Sequence, residues 1–268
     1  MLLTAAAGFY LGGGGTVDLR LLFSTLLGTA LVAAGTNAFN QVRERDADAR
    51  MHRTRKRPLP SGRISPRAAA LFAGLISTAG VVYLAVAVNY VTAGLAALTL
   101  ASYVLLYTPL KRTTTLNTLI GAVPGALPIV GGWTAAGGQL GSAVWALFWI
   151  LFLWQLPHFL ALSWIYREDY RRGGFAMLAV RDADGSRTGW VALLYALTLL
   201  PVSLLPTLLG LTGKMYFFGA LALGLAYAAA AALMTVAATT PRAWRVFLAS
   251  VIYLPALLTL MVLDKIHV

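Results

Sequence analysis

The sequence contains no cysteine and few charged residues. With no cysteine among 268 residues, disulfide frameworks and thiolate metal sites are excluded. Any metal site must therefore use oxygen ligands or the three histidines, which favours Mg²⁺ or another hard ion. Only 11 % of the residues are charged and 59 % are hydrophobic, which is more apolar surface than a soluble protein of this size can bury. The composition therefore indicates an integral membrane protein.

Acidic residues are the scarcer charged class: nine Asp and Glu stand against 21 Lys and Arg, for a net charge of +12. A charge of this sign can indicate nucleic-acid binding. Here, however, eighteen of the basic residues fall in alternate short loops between apolar runs, and the others are Arg20, Lys214 and Lys265. The positive-inside rule makes the crowded side cytoplasmic. We therefore expect a lipid bilayer, and no nucleic acid, as the partner of this charge.

Nine apolar runs predict an all-α, polytopic bundle of about nine transmembrane helices. They cover about residues 1–12, 21–39, 68–88, 91–107, 116–135, 143–166, 190–209, 216–237 and 244–263. The first run is shorter than the roughly 20 residues that a span needs, which favours a true start upstream of Met1. No cleavable signal or transit peptide is evident, so we expect a multi-pass protein of a bacterial plasma membrane.

Residues 37–67 interrupt the apolar pattern with an acidic helix face and then a basic run. The face carries Asn37, Asn40, Glu44 and Asp48 at helical spacing, and Asp46 points elsewhere. A basic loop after an apolar helix often serves membrane topology alone, but topology does not explain acids on one face. Carboxylates and amides can hold Mg²⁺, and guanidinium groups can hold phosphate. The stretch therefore predicts a metal–diphosphate site.

A second polar segment, residues 167–187, lies on the same predicted side of the membrane. It begins with Glu168 and Asp169 at the end of the sixth apolar run. Acids at a helix end are often a cap or a solvated face. Placed across a cavity from Glu44 and Asp48, they would instead form a second metal platform for a diphosphate neutralised by Mg²⁺.

The sixth apolar run also carries an ionisable residue, His158, next to Pro157. An intramembrane histidine is a candidate functional residue, and a hydrogen-bonded structural histidine is the alternative. Several aromatic residues in the same run could line a tunnel for an apolar chain, although helix packing or an interfacial belt is the simpler explanation for most of them. They are Trp145, Trp149, Trp154, Phe159 and Trp164.

The first polar stretch resembles the first acidic motif of UbiA-type intramembrane prenyltransferases. The matching residues are Asn40-x3-Glu44-x3-Asp48 and then Met51-x-Arg53-Thr54-x-x-Arg57-Pro58-Leu59. The part after Asp48 is similar to the haem-farnesylating branch of that family, the protohaem IX farnesyltransferases or haem O synthases. Weaker agreement comes from Tyr107–Arg112, Gly125–Pro128, and Pro157-His158-Phe159 leading to Asp169-Tyr170. The sequence departs from bacterial relatives at Glu44, where they commonly have Asp.

This resemblance implies a single membrane domain over residues 1–268, with its helices around a central cavity. The implied activity is Mg²⁺-dependent transfer of farnesyl from farnesyl diphosphate to a vinyl group of haem b. The implied metal ligands are Asn40, Glu44, Asp48, Glu168 and Asp169, and the catalytic residues are Asn40, Glu44, Asp48 and Asp169. The implied diphosphate ligands are Arg53, Arg57, Lys111 and Arg112, and the implied haem contact is His158. The resemblance also suggests that the protein forms complexes with assembly partners of haem-containing oxidases.

Two other functions remain open at this level. A sister prenyltransferase acting on an aromatic acid or quinone precursor would share the diphosphate site but would be indifferent to haem. A transporter without chemistry is a third reading, because spans broken by Gly and Pro occur at transport sites. That reading requires two matching halves, and the sequence shows no convincing internal repeat.

Overall fold

A computed structural model describes residues 1–14 and 17–266 of the chain. All regular elements in this part of the chain are helices, and its only β-type pairing is an isolated bridge between Thr212 and Lys265. The elements in order are α1 (Leu2–Gly12), α2 (Leu19–Asp48), α3 (Pro66–Ala87), α4 (Tyr90–Ala101), a π-helical segment (Ser102–Tyr107), α5 (Thr108–Leu110), α6 (Asn117–Ala135), α7 (Ser142–Ile165), α8 (Arg167–Gly173), α9 (Leu178–Arg181), α10 (Ser186–Leu208), α11 (Lys214–Val236) and α12 (Thr240–Leu263).

Eight helices in the described ranges are long and apolar enough to cross a membrane. They are α2, α3, the continuous helix from α4 through the π-helical segment to α5, α6, α7, α10, α11 and α12. The shorter α1 is apolar as well. The prediction of an all-α polytopic membrane bundle is therefore confirmed, and about nine helices is compatible with eight spans plus α1.

The helix α2 is longer than its apolar run. Its 30 residues correspond to about 45 Å, whereas the hydrocarbon layer is about 30 Å thick. Asp18 caps its first turn by accepting hydrogen bonds from the N–H groups of Arg20 and Leu21. The sequence indicates that the apolar run ends near Phe39, yet the helix continues to Asp48. The last turns of α2 therefore carry the acidic face beyond the apolar layer.

Small residues allow the first helices to pack closely. A Cβ atom on Gly80 of α3 would come within 2.9 Å of the Val32 backbone nitrogen on α2. A Cβ atom on Gly12 of α1 would lie 2.7 Å from the Trp133 carbonyl oxygen on α6. Close backbone approach at glycine is typical of helix pairs in membranes, because no hydrophobic effect drives their association there.

The helices enclose a central space. Along the chain, α2 packs on α3, α3 on α4, α4 on α6, and α6 on α7. The second half continues with α7 on α10, α10 on α11, and α11 on α12. The short α1 packs on α6 and touches both α2 and α12, so the first and last helices are neighbours. The candidate site lies at one end of this enclosure.

Candidate functional site

A polar cavity of about 240 Å³ lies among the ends of α2, the π-helical segment and α7. Five charged residues line it: Glu44, Asp48, Arg53, Arg57 and Lys111. Its other lining residues are polar, aromatic or apolar: Asn37, Asn40, Met51, Tyr103, Tyr107, Thr118, Phe159, Leu162, Ser163, Tyr170, Phe175 and Met177. The cavity thus brings together most of the residues that the sequence singled out.

The acidic face of α2 is as the helical spacing predicts. Its four oxygen-bearing residues all line the polar cavity: Asn37, Asn40, Glu44 and Asp48. Glu44 is 6 % and Asp48 only 1 % exposed, so both carboxylates are buried. Asp46 instead lies on the outer side, exposed and 3.0 Å from Arg45. Two buried carboxylates and two amides therefore share the helix face that lines the cavity.

The buried carboxylates are paired with cations of other segments. Lys111 Nζ lies 2.9 Å from Glu44 Oε1, and Asn40 Nδ2 donates to Glu44 Oε2 at 3.0 Å. Arg57 Nη1 lies 2.9 Å from Asp48 Oδ2. Such pairing is required, because an isolated ionised carboxylate is very costly to bury.

Lys111 contacts two aromatic rings in addition to the Glu44 carboxylate. Its Nζ lies 4.5 Å from the ring centroid of Tyr107 and 5.7 Å from that of Tyr103. Burial alone would lower the pKa of Lys111, but Tyr107, Tyr103 and the Glu44 carboxylate outweigh burial and raise that pKa above its ordinary value. Lys111 is therefore a fully charged group inside the cavity at physiological pH.

A change of helical register positions these tyrosines. In the π-helical segment the Thr108 N–H donates to the carbonyl of Tyr103, five residues earlier. Pro109 has no N–H, so in this register it offers no donor to the Val104 carbonyl. Arg43 Nη1 of α2 supplies that donor at 2.6 Å. Single π turns are frequent at functional sites, and here one carries Tyr103 and Tyr107 into the cavity wall.

The basic loop after α2 is anchored by Asp169 of α8. Its Oδ1 accepts from the His52 N–H at 3.0 Å, and its Oδ2 accepts from the Arg53 N–H at 3.1 Å. Thr54 Oγ1 donates to the Asp48 carbonyl at 2.9 Å. These bonds fix the loop that brings Arg53 and Arg57 to the cavity.

Four residues that the resemblance implicates do not line the polar cavity: Glu168, Asp169, Arg112 and His158. Glu168 pairs with Arg171 at 2.9 Å and Arg172 at 3.5 Å, and 57 % of its side chain is exposed. Arg112 is exposed. His158 lies inside α7, where its Nδ1 is 2.7 Å from Ser250 Oγ of α12. As ligands of metal, diphosphate and haem respectively, they stay predictions, as does Asp169 as a metal ligand.

An apolar cavity of about 330 Å³ adjoins the polar one. The two share four lining residues: Asn37, Tyr103, Tyr107 and Phe159. Residues of α1, α2, α4, α6, α7 and α12 complete the apolar cavity: Met1, Thr4, Ala33, Thr36, Thr99, Gly121, Pro124, Gly125, Leu151, Trp154, Gln155 and Leu254. Of the aromatics considered from the sequence, Trp154 and Phe159 therefore line the cavity, whereas Trp145 and Trp149 are exposed on the bundle's outside.

The oxygen ligands of α2 suit a hard divalent cation. In the ranges that the structure covers, no group of three or more His, Cys, Asp and Glu side chains could hold a metal. The available set is the Glu44 and Asp48 carboxylates with the Asn40 amide. Mg²⁺ typically binds to one or two carboxylates together with substrate phosphates and water. These residues therefore fit Mg²⁺ as a partner of a phosphate-bearing substrate.

Sequence reasoning missed the tyrosines of the cavity wall. Tyr103 and Tyr107 line both cavities, but an aromatic residue in an apolar run resembles ordinary packing. The available signal was the spacing of Tyr103, Tyr107 and Lys111, which recur every four residues and so lie on one helix face. Gln155 was also missed; its Nε2 donates to the Ala122 and Leu151 carbonyls at 2.8 and 3.1 Å.

Comparison with known proteins gives consistent matches. Residues 1–260 match the model of the UbiA prenyltransferase family. The chain is 48 % identical to a protoheme IX farnesyltransferase of Solibacter usitatus, over 93 % of this chain and 85 % of the relative. It is 47 % identical to a protoheme IX farnesyltransferase of Salinibacter ruber, over 98 % of this chain and 93 % of the relative.

Solved structures share the fold at low sequence identity. A digeranylgeranylglyceryl phosphate synthase structure has a TM-score of 0.81 at 18 % identity, covering 98 % of this chain and 92 % of that one. A UbiA homologue from Archaeoglobus fulgidus, bound to DMAPP and Mg²⁺, has a TM-score of 0.72 at 16 % identity. The match covers 97 % of this chain and 94 % of that chain.

Proposed function

Since this chain belongs to the UbiA prenyltransferase family, we propose that it transfers a farnesyl group from farnesyl diphosphate to a vinyl group of haem b. One water molecule is consumed, and the products are haem O and diphosphate. The relatives that are 47–48 % identical over most of the chain carry the name protoheme IX farnesyltransferase. The observation that carries the proposal is the junction of the two cavities.

That junction suits an amphipathic donor substrate. The polar cavity holds cations and oxygen ligands, and the apolar cavity continues from it past Tyr103, Tyr107 and Phe159. A prenyl diphosphate has the same division, with a charged head joined to a hydrocarbon chain. We place the diphosphate in the polar cavity and the farnesyl chain in the apolar cavity, so that the bond to be broken lies at their junction.

The metal and diphosphate contacts are divided between α2 and the cationic segments. Asn40, Glu44 and Asp48 would hold Mg²⁺, which neutralises the diphosphate and makes it a better leaving group. Arg53, Arg57 and Lys111 would bind the diphosphate oxygens, the arginines in bidentate fashion where geometry allows. Each Asp169 oxygen already accepts one N–H of the loop, so a metal would use its remaining lone pairs. Glu168 would have to leave its arginines to become a metal ligand.

The apolar cavity serves the second half of the reaction. Departure of diphosphate leaves an allylic centre with cationic character, which water would capture. Walls such as Leu151, Trp154 and Phe159 exclude water from that centre, and the faces of Tyr103 and Tyr107 offer it a favourable quadrupole. The centre then persists until the haem vinyl group attacks it. Water then adds to the cationic carbon that this attack leaves on the haem side chain, and a proton is released.

The charge distribution supports an orientation for the site. The polar cavity lies on the side where eighteen of the 21 basic residues fall. By the positive-inside rule that side is cytoplasmic. We propose a bacterial inner-membrane protein whose active-site loops face the cytoplasm. Farnesyl diphosphate and haem b would enter the site from that side, and oxidase-assembly partners would bind there.

Purified full-length protein in lipid vesicles tests the proposal. We expect haem b, farnesyl diphosphate and Mg²⁺ to give haem O, identified by chromatography and mass. A phenolic acceptor offered with the same donor should not be prenylated. Turnover of the phenolic acceptor without any haem O would contradict the haem assignment and favour a sister prenyltransferase.

A further inference from the structure

Gln155 places a buried amide in the wall of the apolar cavity. Its side chain is only 4 % exposed. Leu151 and Phe159, four residues away on either side along α7, line the same cavity, so the three residues share one helix face. Buried polar groups normally have hydrogen-bond partners. The atoms of this amide that have no partner therefore show what the cavity can offer to a substrate.

Two hydrogen bonds determine the orientation of the Gln155 amide. Its nitrogen lies 2.8 Å from the Ala122 carbonyl oxygen of α6 and 3.1 Å from the Leu151 carbonyl oxygen of its own helix. A carbonyl oxygen can only accept, so the amide atom that faces these two oxygens must be the nitrogen, and both of its protons are used. The amide carbonyl is therefore held in one direction.

The carbonyl oxygen Oε1 of Gln155 is the end of this amide that remains unpaired. Within residues 1–14 and 17–266, no donor bonds to it, and it is not among the fully buried polar atoms without a partner, so it keeps accessible surface. A Cβ atom on Gly125 would overlap Oε1, and Gly125 itself lines the apolar cavity. The missing side chain at Gly125 therefore leaves room for Oε1 at the cavity wall.

The other polar groups of the apolar cavity, away from its junction with the polar cavity, have their protons engaged. Thr4, Thr36 and Thr99 each donate the hydroxyl proton to a carbonyl three or four residues earlier. The indole N–H of Trp154 likewise donates to a backbone carbonyl of α12. A farnesyl chain is a hydrocarbon and brings no donor of its own. Gln155 Oε1 therefore meets no positive group while the substrate is neutral.

Positive charge arises next to Oε1 only during the reaction. When the diphosphate leaves, the charge of the allylic cation is shared between C1 and C3 of the farnesyl chain, and C3 lies on the apolar side of the junction. Gly121, against which the Tyr107 ring packs at the junction, is one helical turn, about 5.4 Å, from Gly125. An isoprene unit of four C–C bonds is also roughly 5 Å long. Oε1, beside Gly125, therefore faces the first isoprene unit, which contains C3.

Resting on the proposed function, we propose that Gln155 is a catalytic residue whose amide oxygen stabilises the allylic cation. The C1–O bond breaks and its electron pair leaves with the diphosphate. The positive charge on C1 and C3 then meets the negative end of the Gln155 carbonyl dipole. Ala122 and Leu151 orient this dipole before the reaction, and it acts in an apolar space where charges are weakly screened. Because the neutral chain gains nothing from the dipole, the interaction lowers the barrier instead of tightening substrate binding.

Two farnesyl analogues test this role on the full-length protein in nanodiscs with Mg²⁺ and inorganic diphosphate. One analogue carries a protonated amine nitrogen in place of C3, and the other is its neutral hydrocarbon counterpart. Gln155→Met keeps the length of the side chain without the amide. It should weaken binding of the amine by about tenfold, the scale of one polar contact to a charged group, and leave binding of the hydrocarbon unchanged. Calorimetric titrations, with empty nanodiscs as the blank, measure both affinities. Equal weakening for the two analogues, or an unchanged affinity for the amine, would overturn the proposal.

Kinetics and a conservative variant give a second readout. Gln155→Met should lower kcat for haem O formation by about 10²-fold, the scale on which one preorganised dipole acts, with the KM for farnesyl diphosphate unchanged. Gln155→Glu retains an acceptor oxygen and should keep the preference for the amine over the hydrocarbon. A preference in Gln155→Glu as low as that in Gln155→Met would contradict the role of the oxygen.

Asn117→Leu is the matched control for a purely structural effect. Asn117 is fully buried, its Nδ2 also donates to two carbonyls, and it lines neither the polar nor the apolar cavity. Asn117→Leu should leave the ratio of amine affinity to hydrocarbon affinity unchanged. The same loss of amine preference in Asn117→Leu as in Gln155→Met would refute the proposal.

The identity of the acceptor distinguishes failure of this role from failure of the proposed function. If the wild type makes haem O and Gln155→Met binds the amine as tightly as the wild type does, only the role of Gln155 fails. If the wild type prenylates only a phenolic acceptor while Gln155→Met still loses affinity for the amine, the haem assignment fails and the role of Gln155 stands.

Discussion

The ion pair between Glu44 and Lys111 is the residue-scale centre of the site. The two side chains are 7 % and 10 % exposed, and their charged atoms are 2.9 Å apart. Both oxygens of Glu44 are engaged, one by Lys111 and one by Asn40. A metal ion that binds Glu44 Oε1 would compete with Lys111 for that oxygen. Lys111 would then be free to bind the diphosphate oxygens. The same cation would thus pair with Glu44 before the substrate binds and with the diphosphate afterwards.

A double-mutant cycle tests this pair. Glu44→Gln or Lys111→Met alone should lower the free energy of unfolding by about 3–5 kcal/mol, because each leaves the other charge buried and unpaired. The double variant should recover much of that stability in detergent unfolding measurements, yet should not recover prenyl transfer. Lys56→Met, at an exposed lysine, is the control and should retain stability and activity. Full activity in the double variant would contradict the assigned roles.

The sequence predicted which residues lie together at the site where they are spaced along a single helix. Asn40, Glu44 and Asp48 are separated by single helical turns, so their common face follows from local geometry. Their partners were not predictable from spacing, because Lys111 is 67 residues from Glu44 and Ser250 is 92 residues from His158. Likewise, Asp169 reaches the N–H of His52 across 117 residues. Only the packed helices establish these contacts.

At the scale of elements, Pro109 and Arg43 together maintain the π-helical segment. The proline removes the N–H that would serve the Val104 carbonyl, and Arg43 replaces it at 2.6 Å. The sequence predicts a span over about residues 91–107, and the structure confirms a helix there. The register change was not anticipated, because it depends on a donor from another helix.

Arg43→Met should therefore destabilise the protein by about 1–3 kcal/mol, the cost of leaving a buried carbonyl without a donor. Pro109→Ala supplies an N–H and should offset part of that loss when combined with Arg43→Met. Thermal unfolding in detergent measures both effects. Arg45→Met, in the exposed pair with Asp46, should change little. A loss in the double variant that equals the sum of the single losses would contradict the coupling.

At the scale of the whole molecule, the charge asymmetry predicts the orientation of the bundle. Because the natural chain has no cysteine, single cysteines can be introduced without background labelling. Arg55→Cys lies in the basic loop and Gly210→Cys lies between α10 and α11. A membrane-impermeable maleimide should label Arg55→Cys only in inverted vesicles and Gly210→Cys only in right-side-out vesicles. The reverse pattern would show that the site faces the opposite side.

The whole-molecule architecture was the most predictable level. Apolar runs of span length predict membrane helices because every backbone group in lipid must be satisfied within its own segment. The helix α2 extends beyond its apolar run and ends at Asp48, because contacts such as that between Arg57 and Asp48 stabilise its last turns. The shape and the lining residues of the two adjoining cavities could not be predicted from the sequence, because they depend on how the helices pack against one another.

Prenyl transfer by variants of α2 tests the central claim most directly. In vesicles with farnesyl diphosphate, haem b and Mg²⁺, we expect Glu44→Ala/Asp48→Ala to reduce haem O formation by about 10²-fold or more, the scale on which loss of electrostatic stabilisation acts. Asp46→Ala, on the outer side of the same helix, should keep wild-type activity. Undiminished haem O formation by the Glu44→Ala/Asp48→Ala variant would contradict the account.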